Sequence, residues 1–306
     1  MTSERIIGTY EGRAGGVLLI ASGGIHGNEP AGVEALETVF TLLEREAVLN
    51  PDFEFHGKLI GLRGNVAALR KKERYLDMDL NRIWLPAQIA ANRHRDPMQL
   101  TSEERELLDI LEVVEAQIQT YQPEQVVWLD IHTTTANGGI FSITDDQEAN
   151  LLIARGLHAP VIMGMLDNLE GTLMHYLQEL GVRAVTFEAG QHQDPLSVNR
   201  AIAALINCMR TVGLVPANIV ENRHDELLLS YSKNLPQVAR LSHIHRIRQG
   251  DDFHMMPHYE NFMAVHKGEL LAHDRNGPIY APEDALILMP LYQQRGSEGF
   301  FLLSKQ

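Results

Sequence analysis

His26 and Glu29 stand three residues apart in ASGGIHGNEPAGVEALE, residues 21–37, directly after the apolar run VLLIA (17–21). Imidazole and carboxylate groups are ligands for a divalent cation, and the glycines around them allow a tight turn after a strand. Two more places put such residues at the end of an apolar run. Asp130-Ile131-His132-Thr133-Thr134 closes VVWLDIH, and Glu188 closes AVTFE (184–188). In open α/β sheets ligands bind beyond the carboxyl ends of strands, where His26, Glu29, His132 and Glu188 all fall. Two histidines and a glutamate, with a fourth position left for water, make a catalytic zinc set. A further carboxylate outside that set must then handle the water's proton. Each residue alone has a plainer reading: a solvated turn for H-x-x-E, or a satisfied core histidine for His132. A carboxylate in an apolar strand end, as at Glu188, needs a partner. Together they point to a metal.

Cleaving an amide also calls for positive charge. RGNVAALRKKERYLDMDLNRIW (63–84) offers it without a simple amphipathic face. The planar fork of Arg82 suits a substrate carboxylate, with Asn81 adding a neutral hydrogen bond beside it. Arg74 is placed to stabilise an oxyanion formed when water adds to a carbonyl. The competing reading is a basic surface loop, which RKKER invites.

The elements that must position these residues follow from periodicity. VLLIA (17–21), KLIGL (58–62), VVWLDI (126–131), PVIMG (160–164) and AVTFE lack alternation, as strands covered on both faces do. Helical patterns separate them. AGVEALETVFTLLE keeps Val33, Leu36, Val39, Phe40 and Leu43 on one face behind Pro30. TSEERELLDILEVVEAQI opens with a capping box, Thr101 and Glu104. GTLMHYLQELG and PLSVNRAIAALINCMRTVG end on Gly181 and Gly213, natural helix stops. The alternation predicts an α/β fold, a mostly parallel or mixed sheet flanked by helices, over residues 1–217. A linker is expected at 218–237. Short strand-like pieces between Gly, Pro and charged turns then predict a smaller all-β domain over 238–306.

Composition narrows the function classes. The net charge of −14, from 40 acidic and 26 basic residues, disfavours nucleic acid as a partner. No apolar run approaches the ~20 residues a membrane helix needs, and MTSERIIGTYEG does not read as a signal peptide. The single cysteine, Cys208, lies among apolar residues and is expected to be an inert buried thiol in a reducing cytoplasm. His243, His245, His254, His258, His266 and His273 crowd the C-terminal region. A second metal site is conceivable, since His243 and His245 would share a strand face; scattered surface or turn histidines are the better reading, because no carboxylate or cysteine spacing supports a site.

GGIHGNEPAG, RYLDMDLNRIW, DIHTTT and FEAG, in this order, resemble the succinylglutamate desuccinylase/aspartoacylase family, a branch of the zinc carboxypeptidases. The resemblance spans residues ~15–215 and extends to the C-terminal β-rich segment. It implies one zinc ion per chain, held by His26, Glu29 and His132. It implies Glu188 as general base, Arg74 polarising the scissile carbonyl, and Asn81 with Arg82 holding a substrate carboxylate. The implied reaction is hydrolysis of a small N-acyl amino acid, the C-terminal domain narrowing the cleft. The sequence departs from aspartoacylases where an arginine is expected: Gln178 stands there, and Arg183 lies at another offset. The C-terminal tyrosine of aspartoacylases has no match in GFF (299–301), whereas GTLMHY (171–176) resembles the desuccinylase branch loosely. A peptide-cleaving metallocarboxypeptidase and a non-catalytic zinc-binding protein of the same fold are the alternatives. A homo-oligomer is compatible with all three.

Overall fold

Leu18 and Ile20 pack into one hydrophobic core while Leu19 and Ala21 pack into another, so VLLIA is covered on both faces. The computed structural model describes residues 2–216 and 223–305. It opens with α1 (Thr2–Arg5), β1 (Ile6–Glu11), β2 (Arg13–Gly23), α2 (Ala31–Leu49) and β3 (His56–Arg63). Next come α3 (Val66–Lys71), α4 (Pro86–Asn92), α5 (Ser102–Tyr121), β4 (Gln125–Thr134) and β5 (Phe141–Ile143). The helical half closes with α6 (Glu148–Gly156), β6 (Val161–Met163), α7 (Leu173–Glu179), β7 (Arg183–Gln191) and α8 (Leu196–Thr211).

The remainder comprises α9 (Arg223–Ser232), β8 (Val238–Arg246), β9 (His254–Met255), β10 (Ala264–Val265) and β11 (Leu270–Asp274). β12 (Gly277–Tyr280), β13 (Ala285–Leu288) and β14 (Glu298–Lys305) complete it. The stretch expected as a linker, 218–237, lies partly outside the described residues, and α9 forms within the rest.

One mixed sheet carries 11 strands in the order β1-β3-β2-β4-β7-β5-β6-β8-β14-β13-β10. The central strands β3, β2, β4 and β7 are parallel, whereas β5 runs antiparallel to β7. β8 joins β6 in parallel, so hydrogen bonds carry the same sheet from the helical region into the strand-rich one. β12, β11 and β9 form a separate three-stranded sheet.

Helices α2 and α8 cover one face through Leu36, Val39, Phe40, Leu205 and Ile206. Helices α5 and α7 cover the other through Leu107, Ile110, Leu111, Leu173 and Leu177. Each such side chain, fully removed from water, contributes about 1.5–3 kcal/mol. The α5 capping box forms as the sequence predicts, Thr101 N–H donating to Glu104 Oε2 at 2.8 Å. β2, β4 and β7 therefore lie side by side in a two-faced core, their carboxyl ends at one edge.

Candidate metal centre and active site

The turn after β2 passes through Gly24 at φ +72° and delivers His26 and Glu29 before α2 begins. Gly27 lies against α3: a Cβ there would come 2.2 Å from the carbonyl carbon of Ala68. On β4, Asp130 and His132 are two apart and so leave from one face. Glu188 on β7 is the register partner of His132.

Glu29 sits between two imidazoles. Its Oε1 is 2.9 Å from His26 Nδ1 and its Oε2 is 3.0 Å from His132 Nδ1. One ligand atom from each of the three lies within 4.8 Å of the others, and all three residues are buried. Among the described residues no other group of three or more His, Cys, Asp or Glu is so arranged. The C-terminal histidines make no such group there; His245 instead stacks on Phe253 and Phe300.

The outer nitrogens of both rings meet carboxylates. His26 Nε2 is 3.1 Å from Asp79 Oδ1, and His132 Nε2 is 2.7 Å from Asp130 Oδ2. Asp130 is steadied in turn by the Ser22 hydroxyl, which donates to its Oδ1 at 2.7 Å and accepts from Trp128 Nε1 at 2.7 Å. Arg74 donates to Asp79 Oδ2 through Nε (3.2 Å) and Nη2 (3.0 Å), with Nη1 3.6 Å from Glu29. Burial works against charge on Glu29 and Asp79, yet the neighbouring His26 and Arg74 hold both carboxyls well below the usual range. A carboxylate on the far nitrogen fixes a ligating histidine's ring orientation and raises its basicity. Asp79 and Asp130 thus suit the His-Glu-His set to a divalent cation.

Glu188 is different. It is buried, and among the described residues its Oε2 has no hydrogen-bond partner. Burial pushes its carboxyl up to about 8. A carboxyl so placed ionises at neutral pH only when a cation or a hydrogen-bond donor comes beside it.

A cleft of about 870 Å³, counting its open mouth, is lined by all seven residues singled out from the sequence: His26, Glu29, Arg74, Asn81, Arg82, His132 and Glu188. Asn81 and Arg82 reach outside the cluster. Asn81 Oδ1 accepts the backbone N–H of Leu173 at 2.8 Å, anchoring the start of α7. Arg82 Nη2 lies 2.5 Å from Glu298 Oε2, at the first residue of β14. Gln178 and Arg183 do not line the cleft. Cys208 is buried, and burial pushes its thiol up to about 12, so it is inert as the sequence suggests.

Sequence reasoning gave no role to Asp79, Asp130, His192 or Glu298. Asp130 carried a signal, since its two-residue offset from His132 puts both on one strand face. The other three come together only through the fold.

The catalytic-domain profile of the succinylglutamate desuccinylase/aspartoacylase family matches residues 15–211. The chain belongs to this family. Among relatives, the succinylglutamate desuccinylase of Pseudomonas aeruginosa is 28% identical over 298 residues, covering 91% of this chain and 81% of the relative. The succinylglutamate desuccinylase of Pseudomonas syringae is 26% identical over 292 residues, covering 92% and 80%. Among solved structures, the succinylglutamate desuccinylase of Vibrio parahaemolyticus superposes with a TM-score of 0.65 at 18% identity, covering 93% of this chain and 80% of that one. The product-bound ectoine utilization protein EutE (DoeB) of Ruegeria pomeroyi gives 0.64 at 18% identity, covering 97% and 87%. These structures establish the desuccinylase/aspartoacylase fold, including its strand-rich C-terminal region.

Proposed function

We propose that the protein is a zinc-dependent deacylase that hydrolyses the amide of a small N-acyl amino acid. The observation that carries this reading is the free, buried carboxylate oxygen of Glu188 in one cleft with the His26-Glu29-His132 set. Family membership supports the deacylase class, and the two-histidine, one-carboxylate donor set supports zinc. Zinc held there supplies Lewis-acid polarisation of the carbonyl and a more acidic water.

The chain's own residues do the rest. Glu188 Oε2 accepts a proton from the attacking water and returns it to the leaving nitrogen as the C–N bond breaks, giving a carboxylic acid and a free amine. Arg74 directs its guanidinium at the carbonyl oxygen as negative charge develops there. Arg82, beside Asn81, takes a substrate carboxylate. The C-terminal strands and their connections contribute Met289, Leu291, Gln293, Gly296, Glu298 and Phe301 to the cleft lining. Such a wall favours a small acyl amino acid over a peptide chain. Among the described residues no helix is long and apolar enough to cross a membrane.

The test is a screen of N-succinyl, N-acetyl and N-formyl amino acids with zinc-loaded protein, alongside metal analysis and short C-terminally free peptides. Amine release from at least one acyl amino acid at about one zinc per chain is expected. Faster cleavage of peptides would replace this reading with a carboxypeptidase. One bound zinc with no hydrolysis at any pH would make the protein a binding module.

A further inference from the structure

His192 takes no part in the ligand set, since its ring nitrogens fall outside the group formed by His26, Glu29 and His132. It nevertheless lines the same cleft. It is the first residue after β7, and its backbone N–H donates to the Thr134 carbonyl of β4 at 2.9 Å, which pins it beside the strand bearing His132. Its Nδ1 lies 2.7 Å from Thr133 Oγ1, and among the described residues that nitrogen is the hydroxyl's only partner. When the Thr133 hydroxyl donates to Nδ1, the ring proton rests on Nε2, the tautomer this reading of the cleft assigns. That Nε2 is buried and, among the described residues, without a partner. A buried N–H is costly to leave unpaired unless an arriving molecule accepts it.

The surroundings say what the acceptor is. Burial, against the opposing carboxylate of Glu29, holds the His192 ring below its ordinary pKa, so it is a neutral donor in a cleft where Arg74 supplies the positive charge. An oxygen gaining negative charge belongs where such groups converge. Glu188 Oε2 and His192 Nε2, four residues apart at the end of β7, are both buried and, among the described residues, unpaired; the first accepts once ionised and the second donates when it carries the ring proton. Hydration of an amide requires that complement: an acceptor for the water's proton and a donor for the carbonyl oxygen.

We propose that His192 is a further catalytic residue, its Nε2–H donating a hydrogen bond to the carbonyl oxygen of the scissile amide and sharing with Arg74 the charge that oxygen acquires. Thr133 is the positioning residue that selects the donating tautomer. This rests on the deacylase reading, so the wild-type protein must first turn over an N-acyl amino acid. Failure there sinks both; the outcomes below concern His192 alone.

Asn and Gln variants separate the two ring positions, because the Asn amide nitrogen mimics Nδ1 and the Gln amide nitrogen mimics Nε2. His192→Ala and His192→Asn are expected to lower kcat about a hundredfold, as loss of one oxyanion donor does, with KM within about threefold. Zinc content should stay at the wild-type level in both. His192→Gln should recover kcat to within about tenfold of wild type, and Thr133→Val should lower it by less than His192→Ala. An unchanged kcat in His192→Ala overturns the proposal, as does a loss confined to KM. Loss of zinc would make His192 part of the metal site instead, and equal recovery by Asn and Gln would reduce it to packing.

Discussion

Glu188 is held against its own chemistry. In the metal-free protein its carboxyl sits at about 8, against an ordinary 4.5 for a free glutamate. Below pH 4.5 folded and unfolded chains are both protonated there, and the group leaves stability untouched. Between 4.5 and about 8 the unfolded chain ionises while the folded one does not, so stability falls as pH rises. Above about 8 the deficit is complete. Glu188→Gln carries no titrating proton, so metal-stripped variant and parent should melt together near pH 4.5 and diverge towards pH 8, the variant melting higher. Zinc should narrow the gap, since a nearby cation favours the carboxylate. The zinc-loaded variant should keep its metal yet lose turnover by at least ~100-fold, the usual contribution of a general base. Parallel melting profiles across this range, or wild-type turnover, would remove Glu188 from the role. The residues of the His-Glu-His cluster were legible in the sequence because His, Glu and their strand-end positions are local facts. Asp79 was not, because its role depends on which ring nitrogen it meets across 53 residues of chain.

The turn between β2 and α2 is the element on which the proposed metal set depends. Gly27 lies between His26 and Glu29 in this turn, its N–H donating to the Arg74 carbonyl at 3.1 Å while α3 presses against its Cα. With the carbonyl carbon of Ala68 only 2.2 Å from the place a Cβ would occupy, Gly27→Ala cannot be absorbed by a side-chain rotation. The turn itself must move. Overpacking of this kind costs about 1–3 kcal/mol, and here the displacement also separates His26 from Glu29. Lower melting temperature with reduced zinc content is expected; a variant binding zinc as tightly as wild type would show that the turn is not held by α3. At this scale the sequence was informative wherever an element makes its own case. Apolar runs marked β2, β3, β4 and β7, and the Thr101-Glu104 box marked α5. It was uninformative for β5, a three-residue strand antiparallel to β7, because so short a run is defined by its partner rather than by its own pattern.

At the scale of the molecule, β14 brings the far end of the chain onto the loop that follows α3. Glu298, buried at the head of that strand, places its carboxylate on Arg82 across 216 residues, with Arg246 Nη1 3.8 Å from its other oxygen. No periodicity in FLLSKQ or its surroundings could announce that contact, which exists only because β8 and β14 extend the sheet past β6. If Arg82 receives the substrate's carboxylate, Glu298 is a resident competitor for the same fork. The Arg82 side chain is a quarter exposed, so the ion pair is partly screened and worth ~0.2–1 kcal/mol. Glu298→Gln removes the competing charge and keeps a neutral acceptor. KM for carboxylate-bearing substrates should then fall by up to about fivefold with kcat little changed. Arg82→Ala should raise KM, and adding Glu298→Gln to it should produce no further fall, because the competition has lost its object. A KM that rises in Glu298→Gln would give the opposite physics: Glu298 would be the strut that aims Arg82, and the C-terminal strands would build the carboxylate site rather than restrain it.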